Sequence, residues 1–183
     1  MGRGTRYPHV EQLLRTHYRG GRTLEIGAGG AVYRDLFEDY VGIDLPMTSY
    51  AETGDLAVFC DSRALPFRSE SFDFAFVVAA LYQMREPDLV CQEVWRCLKD
   101  GGVFLVFDYT IPMKMEAIRK NLRQNINRQF HFWGPGELET VLRYSGFRQA
   151  VRIEENLKWT LLARLLPNFV DRHRSWLVVK ADK

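Results

Sequence analysis

The sequence predicts an α/β protein built on an open parallel sheet, and three observations carry that prediction. Short apolar runs ending in glycine or a carboxylate recur along the chain, notably TLEIGAGG at 23–30, YVGID at 40–44 and VFLVFD at 103–108. Between several of them lie stretches whose apolar residues recur at helical spacing, an alternation that right-handed crossovers fold into a parallel sheet. The run FDFAFVVAAL at 72–81 is dense in aromatic and β-branched residues, as expected of a central strand buried on both faces.

Taken in order, residues 8–18 predict a lead-in helix, with Pro8 in its first turn, Val10, Leu13, Leu14 and Tyr18 on one face, and Gly20 and Gly21 ending it. The first strand spans 22–26 and enters the glycine turn. Val32, Leu36 and Phe37 then predict a helix of about two turns before the second strand at 40–43. The stretch after Asp44 carries Pro46 and Gly54 without a sustained period and reads as loop. AVFC is a brief third strand ending at Asp61, and 72–81 is the fourth.

Pro87 and Asp88 open a helix with Val90, Val94, Cys97 and Leu98 inward, which Gly101 and Gly102 close before strand five. Residues 110–133 are irregular, with one helix expected around 115–122, and are locally basic through Lys114, Arg119, Lys120, Arg123 and Arg128. A helix follows Gly134, Pro135 and Gly136, with Leu138, Val141, Leu142 and Ser145 inward and Gly146 at its end. Strand six is placed at 147–153 and the last strand at 176–180. Residues 155–175 form an insertion between them, with an amphipathic helical stretch through Leu161, Leu162, Leu165 and Leu166.

The 183 residues suit one domain, 1–183, able to bury roughly 70% of its unfolded surface without a staple. Composition is that of an ordinary globular protein, 46% apolar and 26% charged, and a net charge of +2 is too small to argue for nucleic acid or a membrane surface. Cys60, Cys91 and Cys97 lack paired metal spacing and read as small buried hydrophobes, so no metal site is expected. No leader pattern or spanning apolar run is present, and a cytoplasmic location is the expectation.

In an open parallel sheet the ligand crevice lies at the carboxyl ends of the strands, where Gly27, Gly29, Asp44, Asp61 and Ala79 would gather. A carboxylate after strand two can accept both hydrogen bonds of a ribose diol, and one after strand three can accept from an adenine amino group. The implied ligand is an adenosine.

These residues closely resemble the class I S-adenosylmethionine-dependent methyltransferases, especially their small-molecule group, over roughly 7–153. LEIGAGG is similar to that family's glycine motif, which implies Glu25, Gly27, Ala28 and Gly29 along the methionine part of S-adenosyl-L-methionine. VGIDL is similar to its second motif, with Asp44 on the ribose and Leu45 beside it. CDSRALPFRSESFDFAF resembles the next two, which implies Asp61 at the adenine amino group, the backbone of Ser62 at its ring nitrogen, and Ala79 in the methionine channel. The resemblance also implies a Rossmann-like seven-stranded sheet in the order 3-2-1-4-5-7-6, the last strand antiparallel, with helices on both faces. Three departures stand out: Ala31 where a third glycine is common, which narrows the approach to the cofactor; Gln83 where histidine is common; and Asp100 where proline is usual.

Methyl transfer from a sulfonium is an in-line displacement, so alignment and exclusion of water are the main tasks. His131 and Asp108 are the candidate general bases, with Tyr82 and Tyr109 behind them, against the blander readings of a packed histidine and a turn-capping carboxylate. The expected acceptor is an oxygen or nitrogen of a small polar metabolite, anionic or sugar-containing, met under residues 110–133. A non-catalytic cofactor-binding subunit is the alternative. An RNA methyltransferase ranks below both, because VVAALYQM replaces the Asn/Asp-Pro-Pro-Tyr motif and no basic stripe compensates. A dinucleotide oxidoreductase is disfavoured by Val32, which occupies the third glycine of GxGxxG.

Overall fold

The computed structural model describes residues 6–46, 58–110, 133–156 and 176–183. Seven strands form one sheet in the order β3-β2-β1-β4-β5-β7-β6: β1 Arg22–Ile26, β2 Asp39–Asp44, β3 Val58–Phe59, β4 Phe72–Val78, β5 Leu98–Tyr109, β6 Gln149–Asn156 and β7 Trp176–Asp182. Strands β1 to β5 pair in parallel. Strand β7 runs antiparallel to both β5 and β6.

Alternation along the central strands divides the core into two layers. Phe74 and Phe76 of β4, with Leu105 and Phe107 of β5, pack under helix α1, Pro8–His17, through Val10, Leu13 and Leu14. Ala75, Val77, Phe104 and Val106 face the other way. They meet Val90 and Val94 of α2, Pro87–Cys97, and Leu138 and Leu142 of α3, Glu137–Tyr144. Helices therefore cover both faces, and both sides of β4 and β5 are dry, which is why their sequences read as near-continuous apolar runs.

Several boundaries differ from the sequence reading for local reasons. The helix expected after the glycine turn is a single 3-10 turn, Arg34–Leu36, because β2 already begins at Asp39 and leaves no room for a second turn. Strand β4 stops at Val78, since Ala79 takes a left-handed φ of 50°, and Leu81–Gln83 is another 3-10 turn. The glycine pair after α2 does not precede β5 but lies inside it. The strand begins at Leu98, which pairs with Phe72, and the register then shifts before Phe74 meets Val103. Gly101, at φ 77°, supplies the irregular backbone of that bulge. Strand β6 continues to Asn156, taking in the first two residues of the expected insertion. The helix expected at 115–122, the basic positions from Lys114 to Arg128, His131 and the Leu161–Leu166 stretch lie outside the described residues.

Candidate functional site

The carboxyl ends of β1, β2 and β4, with the segments leaving them, enclose a crevice of about 740 Å³. Glu25, Gly27, Ala28, Gly29, Asp44, Leu45, Asp61, Ser62 and Ala79 all line it. Four segments far apart in sequence thus supply one wall, as the topology requires.

Gly27 leaves β1 at φ 65°, and a methyl group built there would sit 2.7 Å from Ala80 Cβ and 3.1 Å from Met84 Cε. Only glycine fits both that backbone and that approach. The turn is then tied to β2: Ala28 N–H donates to Ile43 O at 2.9 Å, and Gly29 N–H donates to Asp44 Oδ2 at 2.8 Å. Asp44 Oδ1 accepts from Leu45 N–H at 2.7 Å. Asp44 therefore braces the glycine turn, and each of its oxygens keeps a second lone pair for a hydroxyl donor. Ala31 has a left-handed φ of 50° but does not line the crevice, so the side chain expected to narrow the approach is placed elsewhere.

Asp61 is held by Arg63, which donates from its backbone N–H at 2.9 Å and from Nη2 at 2.7 Å. The guanidinium hydrogen bond keeps the Asp61 carboxyl below its ordinary range. Arg63 also reaches Glu86 at 2.5 Å and so links the segment after β3 to the start of α2. Ser62 Oγ–H contacts Met84 Sδ at 3.6 Å. Gln83 Nε2–H donates to Ala79 O at 3.2 Å, a backbone contact rather than a proton-transfer arrangement.

Glu25 lies in the floor of the crevice and is 3% exposed. The Tyr40 hydroxyl donates to its Oε2, yet burial dominates and pushes the carboxyl up to about 8. Asp108 is fully buried beneath the rim and does not line the crevice. Its Oδ2 accepts from Trp133 Nε1–H at 2.7 Å and its Oδ1 from Tyr109 N–H at 2.9 Å. Burial outweighs these bonds and raises it to about 7. Tyr82 and Tyr109 do line the crevice, their rings edge to face at 5.0 Å.

Residues that the sequence reading passed over also belong here. Tyr7 lines one side, its N–H donating to the Tyr33 hydroxyl at 3.0 Å. Tyr40 and Gly42 do not line it but stand behind Glu25, the Tyr40 hydroxyl donating to that carboxyl. Among the described residues, no group of three or more His, Cys, Asp or Glu side chains is placed to hold a metal. Nor is any helix among them long and apolar enough to cross a membrane. The glycine that a methyl would overfill, the Asp44 acceptor and a buried carboxyl with no basic partner among the described residues fit an adenosyl ligand carrying positive charge.

Comparison with known proteins agrees with this fold. A family model for a methyltransferase domain matches residues 24–106. An uncharacterised protein of Methanocaldococcus jannaschii is 32% identical over 147 residues, covering 78% of this chain and 72% of that protein. Several further curated relatives are longer, and the chain spans less than half of their length. Among solved structures, an S-adenosylmethionine-dependent methyltransferase of Thermotoga maritima, a possible histamine N-methyltransferase, superposes with a TM-score of 0.70 at 22% identity, covering 94% of this chain and 87% of that one. Phosphoethanolamine N-methyltransferase 2 of Haemonchus contortus, in complex with phosphomonomethylethanolamine and S-adenosylhomocysteine, superposes with a TM-score of 0.71 at 20% identity, covering 96% and 53%.

Proposed function

The chain belongs to the S-adenosylmethionine-dependent methyltransferase family, and on that premise we propose that it transfers a methyl group to an oxygen or nitrogen of a small polar metabolite. Sugar-containing and anionic acceptors come first among these. The observation that carries the reading is the crevice itself, roomy at about 740 Å³ and lined by the glycine turn, Asp44 and Asp61 together. A non-catalytic module would need its acceptor side closed, and the space bordered by Tyr7, Tyr82 and Tyr109 supports the enzyme instead.

When bound, the cofactor supplies an electrophilic methyl carbon on a sulfonium. The chain's part is to bind and align. Gly27 and Gly29 admit the methionine portion, Asp44 accepts from the ribose, Asp61 and the Ser62 backbone take the adenine edge, and Ala79 lines the methionine channel. Alignment of this kind contributes on the order of 7–11 kcal/mol to a displacement. Asp108 is proposed to act indirectly, its buried carboxyl setting the backbone of Tyr109 and the indole of Trp133. His131, outside the described residues, is the proposed general base for a hydroxyl acceptor, worth roughly 100- to 10,000-fold. We also place the protein in a reducing, cytoplasmic setting, which suits the unpaired thiols of Cys60, Cys91 and Cys97.

A screen of polar metabolites, amines and nucleotide sugars for uptake of labelled methyl tests the proposal, with methylation of at least one class expected. Binding of S-adenosylhomocysteine with no transfer to any class would favour the module. Transfer to RNA alone would move the acceptor to nucleic acid.

A further inference from the structure

The crevice has two chemically different halves. Its carboxylates, Glu25, Asp44 and Asp61, come from β1, β2 and the segment after β3, on the β3-β2-β1 side of the sheet. Three of its tyrosines gather on the β4-β5 side instead. Tyr82 follows β4 and Tyr109 ends β5, while Tyr7, which precedes α1, is fixed to β5 by stacking on Phe107 at 6.3 Å between ring centres. The Tyr82 and Tyr109 rings stand at 87° to one another and form two walls meeting at a right angle.

One buried carboxyl holds that corner in shape. Asp108 accepts from the backbone N–H groups of Tyr109 and Tyr82 and from the Trp133 indole, and it does not itself line the crevice. The β4-β5 half therefore presents phenol rings rather than a carboxylate or an imidazole. Among the described residues lining the crevice the cations are Arg63, bound to Asp61 and Glu86, and Arg85, which is exposed. The face of an aromatic ring is the negative part of its quadrupole and attracts an organic cation, an attraction a neutral group of the same shape does not share.

Resting on the adenosyl-cofactor reading above, we infer that the aromatic wall of Tyr7, Tyr82 and Tyr109 selects an amine as the methyl acceptor and holds the methylammonium that forms from it. The amine lone pair makes the new N–C bond while the C–S bond breaks and its electron pair returns to sulfur. Positive charge passes from sulfur to nitrogen, where the ring faces meet it. The amine enters neutral, having left its proton to solvent, and any N–H proton of the product leaves to solvent after release. The chain therefore supplies no base. A hydroxyl acceptor needs one at the reacting oxygen, and none of the three tyrosines' neighbours on this side of the crevice offers it among the described residues. An amine nitrogen is compatible with a sugar-containing or anionic body, as in an amino sugar or an amino acid.

Calorimetric titration of the complex with S-adenosylhomocysteine tests this, using choline as a methylammonium probe and its neutral tert-butyl analogue as the uncharged control of the same shape. Choline should bind the wild-type complex at least about fivefold more tightly than the control. Tyr82→Leu and Tyr109→Leu should each lower that ratio at least about threefold, whereas Tyr82→Phe and Tyr109→Phe, which keep the ring and lose the hydroxyl, should hold it within about twofold. Replacing Tyr109 by trifluorophenylalanine, which keeps the ring and drains its face, should lower the ratio as leucine does. That last change decides the matter should the leucine variants fail to fold, because a ring that merely fills space would not register it. Equal affinity for the two probes, binding of neither probe to a complex that does form, or a ratio unmoved by leucine or by fluorination overturns this inference alone. Failure of S-adenosylhomocysteine itself to bind overturns the cofactor reading with it.

Discussion

Gly27 and Asp44 carry the most testable consequences at the scale of single residues. Gly27→Val sets a branched side chain against Ala80 and Met84 on a left-handed backbone, and Asp44→Ala removes both the proposed diol acceptor and the brace on Gly29. Each should weaken S-adenosylhomocysteine binding at least about tenfold by calorimetry; unchanged affinity in both would remove the case for the cofactor site. Ala31→Gly is the contrasting change. It relaxes a left-handed alanine whose side chain lies away from the crevice, so affinity should stay within about twofold. The glycines and aspartates were legible in sequence because their spacing is local to one turn or one strand end. Tyr40, Gly42 and Tyr33 were not, since their meaning depends on which residues the sheet sets opposite one another.

At the scale of elements, the junction of β5 with Trp133 is the informative one. Thr110 bridges to Trp133, its hydroxyl donating to the Trp133 carbonyl at 2.7 Å, directly beside the indole bond to Asp108. Asp108 keeps its proton in the fold up to about pH 7, while the unfolded chain releases it near pH 4. The folded state then binds more protons across that window, so this group's contribution is complete below about pH 4 and is lost as pH rises, on the order of 1.4 kcal/mol per unit. Urea unfolding of the wild type should show stability falling from about pH 4 to about pH 7, and Asp108→Asn should make the slope shallower. It should not abolish the slope, because Glu25 has the same sign over a window reaching about 8. In sequence Asp108 reads as a strand-end carboxylate available for catalysis. What turns it inward is a tryptophan 25 positions later, beyond the reach of any local pattern.

Element limits show the same division. The identity and order of the strands could be read because each is a compact apolar run between glycine, proline or acidic residues. Their ends followed tertiary pairing, as where β5 extends back through two glycines to meet Phe72.

For the whole molecule, two layers share one sheet, and the far corner is fastened by Lys183. Its ammonium donates to Leu98 O at 2.7 Å and lies 4.5 Å from the centre of the Trp95 ring, and its N–H donates to Gly102 O at 3.0 Å. The side chain thus joins the β7 end to the passage from α2 into β5. Lys183→Ala should cost about 1–2 kcal/mol in chemical denaturation, with cofactor affinity unaffected, because the crevice lies at the other end of the strands.

The antiparallel insertion of β7 also sets an order in time. Strand β6 pairs with β7, whereas β7 has β5 as a second partner in the sheet. The β5–β7 ladder joins Val103 to Asp182, a distant closure in chain terms and therefore slow to find. In pulsed hydrogen exchange during refolding, amides of β1, β4 and β5 should gain protection first, and those of β6 with or after those of β7. Early protection of β6 ahead of β7 would contradict this order; the expected course makes the C-terminal pair the last part of the sheet to assemble.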